Sequence, residues 1–110
     1  KMVRVFYNIA GNARDAMPRG GLLAVRTGLI QSDGTNPPLA VVEIADTGPG
    51  MSQEFISKDL FAPFVTTKPR GLGLGLYTCR QIIQMHDGEI KVRSELGKGT
   101  VFNISLPITD

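Results

Sequence analysis

A run of alternating glycine and leucine is the clearest candidate for chemistry in this sequence. It consists of Gly71, Leu72, Gly73, Leu74, Gly75 and Leu76, directly before a segment of helical periodicity. Because glycine has no Cβ, backbone N–H groups in such a run can approach a ligand closely. The following helix adds unpaired N–H groups and the positive end of its dipole. The pattern predicts a phosphate cradle, and the alternative is a hinge between a loop and a helix.

Two widespread phosphate motifs do not fit this run. A dinucleotide fingerprint requires glycine where the chain has Leu76, and it requires a preceding strand where residues 66–70 are typical of a loop. The Walker pattern requires Gly-Lys-Ser/Thr, which Leu76-Tyr77 does not supply. A phosphate bound here would therefore be held by another scheme.

Two asparagines form a second candidate. Asn8 and Asn12 lie within a predicted amphipathic helix, and their spacing of four places them on one face. Magnesium takes hard oxygen ligands and usually keeps substrate phosphates as partners, so an Asn carbonyl beside a triphosphate is a sensible ligand. The alternative is a pair of solvated side chains.

Asp46 follows an apolar segment, Leu39–Ala45, that has the pattern of a buried central strand. A carboxylate at such an exit requires a partner. Gly48 and Gly50, with Met51 after them, leave room beside it for a flat ligand. A charged hydrogen bond to the exocyclic amine of adenine, about 1.5–3 kcal/mol, would select adenine over guanine. Alternatively, Asp46 caps the next short helix or forms an Asx turn.

The segment from Met51 to Arg70 has the character of a lid. It is largely irregular and carries an apolar patch that includes Pro63. The alternative is a loop that Phe61 and Phe64 anchor in the core. Lys68 and its neighbours bring hydroxyls and positive charge to the edge of the glycine run, which favours a polyphosphate.

Periodicity predicts the elements that position these groups. Helices are predicted over residues 2–17 and 53–58 and from 76 to about 86, and strands over 22–29, 39–45, 89–94 and 100–106. Ser52 is the expected cap of the short helix, and the strands are expected to form two hairpins. The predicted core face of the first helix comprises Val3, Phe6, Tyr7, Ala10, Ala13 and Met17. That of the last helix comprises Leu76, Cys79, Ile82 and Ile83, with Met85 or His86 at its end.

Length and composition limit the class of protein. The 110 residues suit one domain with its own core. An apolar content of 42%, a charged content of 20% and a net charge of +2 suit a globular protein and give no support to a nucleic-acid partner. Cys79 is the only cysteine, which is compatible with the cytoplasm. No apolar run approaches the ~18 residues of a membrane helix, and no leader is visible.

Five motifs occur in an order that resembles the N, G1, F, G2 and G3 boxes of sensor histidine kinases. They are Asn8-x-x-x-Asn12-Ala13, Asp46-x-Gly48-x-Gly50, Phe61-x-Pro63-Phe64, Gly71-x-Gly73-x-Gly75 and Gly97-x-Gly99-Thr100. Along nearly its whole length the chain is similar to the catalytic ATP-binding domain of that family, within the Bergerat-fold (GHKL) superfamily. The resemblance implies a two-layer α/β sandwich, with a mixed, mostly antiparallel sheet, helices on one face and ATP between them.

The resemblance also implies site residues. Asp46 would read the adenine amine with support from Thr100, Asn12 would ligate Mg2+, and Asn8 would lie by the phosphates. Lys68 and the backbone of the glycine run would close on the triphosphate. Asn8, Asn12 and Lys68 are thus the expected catalytic groups, and Gly48, Gly50 and Met51 line the expected nucleotide pocket.

One position discriminates within the superfamily. ATPases of the gyrase and mismatch-repair type carry a water-activating glutamate where this chain has Asn8. An amide is no general base near neutral pH, so the expected reaction is phosphoryl transfer to a histidine with slow hydrolysis at most. The alternatives are a degenerate nucleotide-binding or docking module and a protein-serine kinase of the superfamily, although those kinases usually carry the glutamate.

The chain also departs from the family pattern. Ala62 stands where an acidic residue is common, and Leu72 where a small hydroxyl residue is common. The dimerisation helices with their phospho-accepting histidine, and the strand that usually precedes the first helix, are not in this sequence, and His86 is at the wrong place to replace that histidine. We therefore expect a cytoplasmic catalytic module of a longer two-component kinase, monomeric in isolation. Its expected partners are that kinase's histidine domain and, through it, a response regulator; the parent kinase is cytoplasmic or membrane-anchored.

Overall fold

The computed structural model describes residues 2–31, 34–63 and 75–108. Its elements are α1 (Met2–Ala16), β1 (Leu23–Ile30), β2 (Leu39–Asp46), α2 (Gln53–Lys58), α3 (Gly75–Met85), β3 (Glu89–Ser94) and β4 (Thr100–Pro107). Every predicted element is present within about one residue of its predicted bounds. The glycine run up to residue 74 and the lid from residue 64 lie outside the described residues. None of the described helices is long and apolar enough to cross a membrane.

The described strands form one antiparallel sheet in the order β1-β2-β4-β3. The two predicted hairpins are confirmed, because β1 pairs with β2 and β3 pairs with β4. The apolar strand β2 is central, as predicted. The predominantly antiparallel sheet is therefore confirmed, and the described strands contain no parallel pair that would make it mixed.

Strand alternation gives the sheet two different faces. On one face, Ile44 of β2 and Phe102 of β4 belong to the same buried cluster as residues of α1 and α3. On the other face Glu43 lies 3.9 Å from Arg26 and 4.0 Å from Arg93, in ion pairs whose arginines are exposed. Such pairs contribute little to stability. Burial of the apolar face under the helices holds the two layers together, and the predicted two-layer α/β sandwich is confirmed.

The buried face of α3 is largely as predicted. Cys79 and Ile83 are fully buried and Ile82 is 9% exposed, whereas Met85 is 70% exposed. The prediction that Met85 or His86 completes this face was therefore wrong, because both are exposed. His86 follows the helix, with Nδ1 2.9 Å from the carbonyl oxygen of Ile82, which confirms it as a helix-end residue.

The buried face of α1 is rotated from the predicted one. Val5 and Ile9, which the prediction omitted, are 0% and 1% exposed, while Tyr7 is 74% exposed. Ala13 is buried as predicted, and Phe6 packs against the edge of the core. Apolar residues occur on more than one side of this helix, so its contacts with α3 and the sheet decide which side is buried.

Candidate functional site

The inner face of the sheet ends in a row of polar side chains. Thr100 of β4 lies between Asp46 of β2 and Ser94 of β3 in the strand register. Opposed residues of antiparallel strands have Cβ atoms about 4.5–5.5 Å apart. Thr100 and Ser94 are only 6% and 8% exposed. The apolar core thus gives way to hydrogen-bonding groups where β2 stops and β4 begins.

Asp46 forms the Asx-type turn that the sequence left open as an alternative. Its Oδ1 accepts the N–H of Gly48 at 2.9 Å. It does not cap α2, because Ser52 Oγ accepts the Phe55 N–H at 3.1 Å. A carboxylate has two oxygens and about four acceptor sites. The turn therefore fixes the orientation of Asp46 without exhausting its capacity to bind a ligand donor.

Gly50 and Gly99 allow the loop after β2 to pack against the β3–β4 turn. Both have positive φ angles, 76° and 85°. A Cβ at Gly50 would overlap the carbonyl oxygen of Glu95, and one at Gly99 would overlap that of Asp46. The missing side chain at Gly50 is thus used for contact between two loops, and the place of Gly50 beside a bound ligand stays a prediction.

Ser94 joins these two loops through its hydroxyl and its carbonyl group. Its Oγ accepts the Met51 N–H at 2.8 Å and lies 2.8 Å from both Gly99 O and Thr100 Oγ1. Its carbonyl oxygen accepts from Gln53 Nε2 at 2.7 Å. Neither Ser94 nor Gln53 was predicted from the sequence, because only the folded chain brings Ser94 Oγ to Thr100 and Met51 and the Gln53 amide to the Ser94 carbonyl oxygen.

The helix α1 runs toward the same end of the sheet. Asn8, Asn12 and Ala16 follow one another at intervals of four and share a face. Both asparagines are half-buried. At the end of this face, the Cβ of Ala16 lies 3.4 Å from the position that a Cβ on Gly48 would occupy. The face that carries the predicted metal and phosphate residues therefore leads to the loop beside Asp46.

The helix α3 is antiparallel to α1 and presents its N-terminus at this end. Cys79 Sγ donates to the carbonyl oxygen of Val5 at 3.7 Å. Farther along, Ile83 lies against Gly88, beside Leu106, at the opposite end of the sheet. The first turn of α3, from Gly75, therefore points toward the Asp46 end. Its N–H groups have no partners within the helix, and its dipole favours an anion.

The buried thiol of Cys79 also touches the asparagine face. Burial raises the pKa of Cys79 above its usual value near 9.0, and a hydrogen bond with the Asn8 side chain offsets part of this rise. Cys79 is therefore a neutral core residue.

Phe61 supports the anchored-loop alternative for the start of the lid. Its ring packs against the core, and the Arg80 guanidinium carbon of α3 lies 5.0 Å from the ring centroid. Such a cation–π contact contributes about 0.5–1 kcal/mol at an exposed site. Phe64 and Lys68, the other predicted residues of this segment, lie outside the described residues.

The donor set of the site fits a magnesium ion only together with a phosphate ligand. Asn12 supplies a hard amide oxygen of the kind that Mg2+ accepts. No group of three or more His, Cys, Asp or Glu side chains that could hold a metal occurs within residues 2–31, 34–63 and 75–108. Most ligands of an ion at Asn12 would therefore come from a bound nucleotide and water.

Comparison with known proteins gives a consistent set of relatives. A family profile described as "Histidine kinase-, DNA gyrase B-, and HSP90-like ATPase" matches residues 1–110. Sporulation kinase C of Bacillus subtilis is 43% identical over 108 residues, which are 98% of this chain and 24% of that protein. Sensor kinase CckA of Brucella abortus is 42% identical, over 94% of this chain and 12% of its own length. This chain thus spans a quarter or less of these relatives.

Solved structures agree with this family. The mycobacterial sensor histidine kinase MprB aligns with a TM-score of 0.76 and 33% identity, over 94% of this chain and 68% of the MprB chain. Full-length ShkA, solved in complex with AMPPNP, aligns with a TM-score of 0.76 and 30% identity, over 94% of this chain and 20% of that one.

Proposed function

This chain belongs to the histidine kinase-, DNA gyrase B- and HSP90-like ATPase family and is similar to the catalytic domains of sensor histidine kinases, and we propose that it binds Mg-ATP and donates the γ-phosphate to a histidine on a separate dimerisation domain. One observation carries the proposal. Asp46, the asparagine face of α1 and the N-terminus of α3 converge at one end of the sheet, where adenine, metal and phosphate groups would each meet a suitable partner.

In the proposed complex the adenine lies against the polar row. Asp46, held by its bond to Gly48, accepts from the exocyclic amine, and Thr100 supports it from the neighbouring strand. The phosphates lie between the asparagine face and the first turn of α3, with Asn8 beside them and Asn12 at the metal. Lys68 and the glycine run complete the cradle. A nucleotide analogue bound to the related ShkA is consistent with this use of the fold.

The chemistry depends on position and charge. Phosphoryl transfer needs little covalent help from the protein, and a bound Mg2+ would neutralise charge on the phosphates. Asn8 stands where related ATPases have a glutamate, and its amide cannot activate water, so the γ-phosphate is preserved for an incoming nucleophile. His86, the chain's one histidine, lies at the far end of α3 with Nδ1 near Ile82 O. The acceptor histidine is therefore assigned to another domain of a two-component kinase, which passes the phosphate to a response regulator.

Calorimetric titration with ATP, with and without Mg2+, tests the proposal. We expect Mg2+ to enhance ATP binding to the unaltered chain and the Asn12→Ala variant to lose that enhancement. Asn103→Ala is the matched control, because Asn103 lies on the opposite face of the sheet beside Glu43. A folded chain that binds no ATP at millimolar concentration would refute the proposal and favour a docking module. If Asn12→Ala kept the full Mg2+ effect, the metal role of Asn12 would be wrong.

A further inference from the structure

We propose that Ser94 is a positioning residue that sets the hydrogen-bond polarity of Thr100, and that it thereby makes the base pocket selective for a 6-amino purine over a 6-oxo purine. The inference rests on the proposed function, since it concerns the pocket in which adenine would lie. It follows from the number of hydrogens available around the Ser94 hydroxyl.

The Ser94 hydroxyl has three close partners and one hydrogen. Gly99 O, at 2.8 Å, can only accept, so the Ser94 hydrogen must point to it. Thr100 Oγ1, also at 2.8 Å, must then donate its own hydrogen to Ser94 Oγ, because two oxygens this close repel each other without a hydrogen between them. The Met51 N–H supplies the second donor to Ser94 Oγ. Both acceptor sites of Ser94 are thus filled, and the assignment has no free choice.

This arrangement leaves Thr100 as an acceptor toward the pocket. Its hydrogen is committed to Ser94 on the β3 side, while Asp46 lies on its β2 side. The carboxylate of Asp46 is also an acceptor. The side chains of Asp46 and Thr100 therefore present acceptors, which suit the two N–H bonds of an exocyclic amine or a bridging water. A purine with a carbonyl at the same position would face acceptors on both of these side chains.

The test is a double-mutant cycle with two nucleotides that differ at this position, ATP and inosine triphosphate. In Ser94→Ala the Thr100 hydrogen is released and can donate to the inosine carbonyl. We expect the ratio of the dissociation constant of inosine triphosphate to that of ATP to fall roughly three- to tenfold, the range for one hydrogen bond. In a Thr100→Val background the same Ser94→Ala change should leave the ratio unaltered, because no hydroxyl remains to be oriented.

Gln53→Ala is the matched control. It removes the side-chain bond to the Ser94 carbonyl oxygen but keeps the Ser94 hydroxyl, so it should weaken both nucleotides alike. If Ser94→Ala also weakened both alike with an unchanged ratio, Ser94 would only support the loop and the inference would be wrong. Absence of ATP binding by the unaltered chain is a different result, which would overturn the proposed function and this inference together.

A measurement on the unaltered chain covers the case in which Ser94→Ala does not fold. A buried, hydrogen-bonded hydroxyl proton exchanges slowly enough to be observed by proton NMR at low temperature. We expect a Thr100 hydroxyl proton with strong dipolar contacts to the Met51 amide proton and the Ser94 β protons. A Thr100 hydroxyl proton directed away from Ser94 would overturn the inference.

Discussion

Replacement of Asp46 by asparagine should abolish adenine selectivity while leaving the fold intact. The amide oxygen of Asn can still accept the Gly48 N–H that Oδ1 of Asp46 now accepts at 2.9 Å, so the turn after β2 is kept. The amide N–H2 group then occupies the place of the other carboxylate oxygen and opposes the adenine amine, donor against donor. The substitution is nearly isosteric, so the change is confined to hydrogen-bond polarity and charge.

The expected loss can be calculated from the bond removed. A hydrogen bond to a charged group contributes about 1.5–3 kcal/mol. Its loss corresponds to a roughly 10- to 150-fold larger dissociation constant for ATP. Calorimetric titration of the variant with ATP and GTP measures this loss and the change in preference. Circular dichroism and the urea midpoint should remain close to those of the unaltered chain.

The matched control is Asp87→Asn, which makes the same charge change far from the site. Asp87 has a φ angle of 59°, a conformation that Asn adopts readily, and it lies in the turn that leads into β3. It should bind ATP as the unaltered chain does. If Asp46→Asn also bound ATP with unchanged affinity and selectivity, the assignment of Asp46 to the adenine amine would be refuted.

Two further predictions concern the scaffold of the site. Gly50→Ala should lower the free energy of unfolding by more than Gly97→Ala. Both positions have a positive φ angle, which costs about 1–2 kcal/mol for alanine. Only at Gly50 would the new Cβ also overlap a backbone carbonyl. Equal urea midpoints for the two variants would show that the close approach to Glu95 is unimportant. Because burial raises the pKa of Cys79, its contribution to stability should be complete below about pH 9 and should be lost as pH rises further. Urea unfolding should show that the free energy of unfolding falls less between pH 7.5 and pH 10 in Cys79→Ala than in the unaltered chain. An equal fall in both would contradict this.

Much of the fold could be predicted because each element carries a strong local signal. The strict alternation of β3, the glycines of the β3–β4 turn and the Ser52 cap gave the elements with nearly correct bounds. Asp46 and the asparagines were predicted as site residues because their residue types are unusual at those places in a periodic pattern, whereas Thr100 was predicted from the resemblance of Gly97-x-Gly99-Thr100 to the G3 box. Local periodicity was ambiguous on α1, where apolar side chains occur on several sides, and the core face was accordingly misassigned at Tyr7 and Val5.

The sequence by itself determined the order and type of the elements and the residue types that a nucleotide site requires. These features are local, since periodicity, capping and turn residues act over a few positions. Only the tertiary structure decided which groups meet. Strand register places Thr100 beside Asp46, although the two are far apart in the chain, and beside Ser94 across the β3–β4 turn. The hydrogen of the Ser94 hydroxyl must then point to Gly99 O if Met51 N–H and Thr100 Oγ1 are also to be hydrogen-bonded. This restriction exists only after the strands have paired.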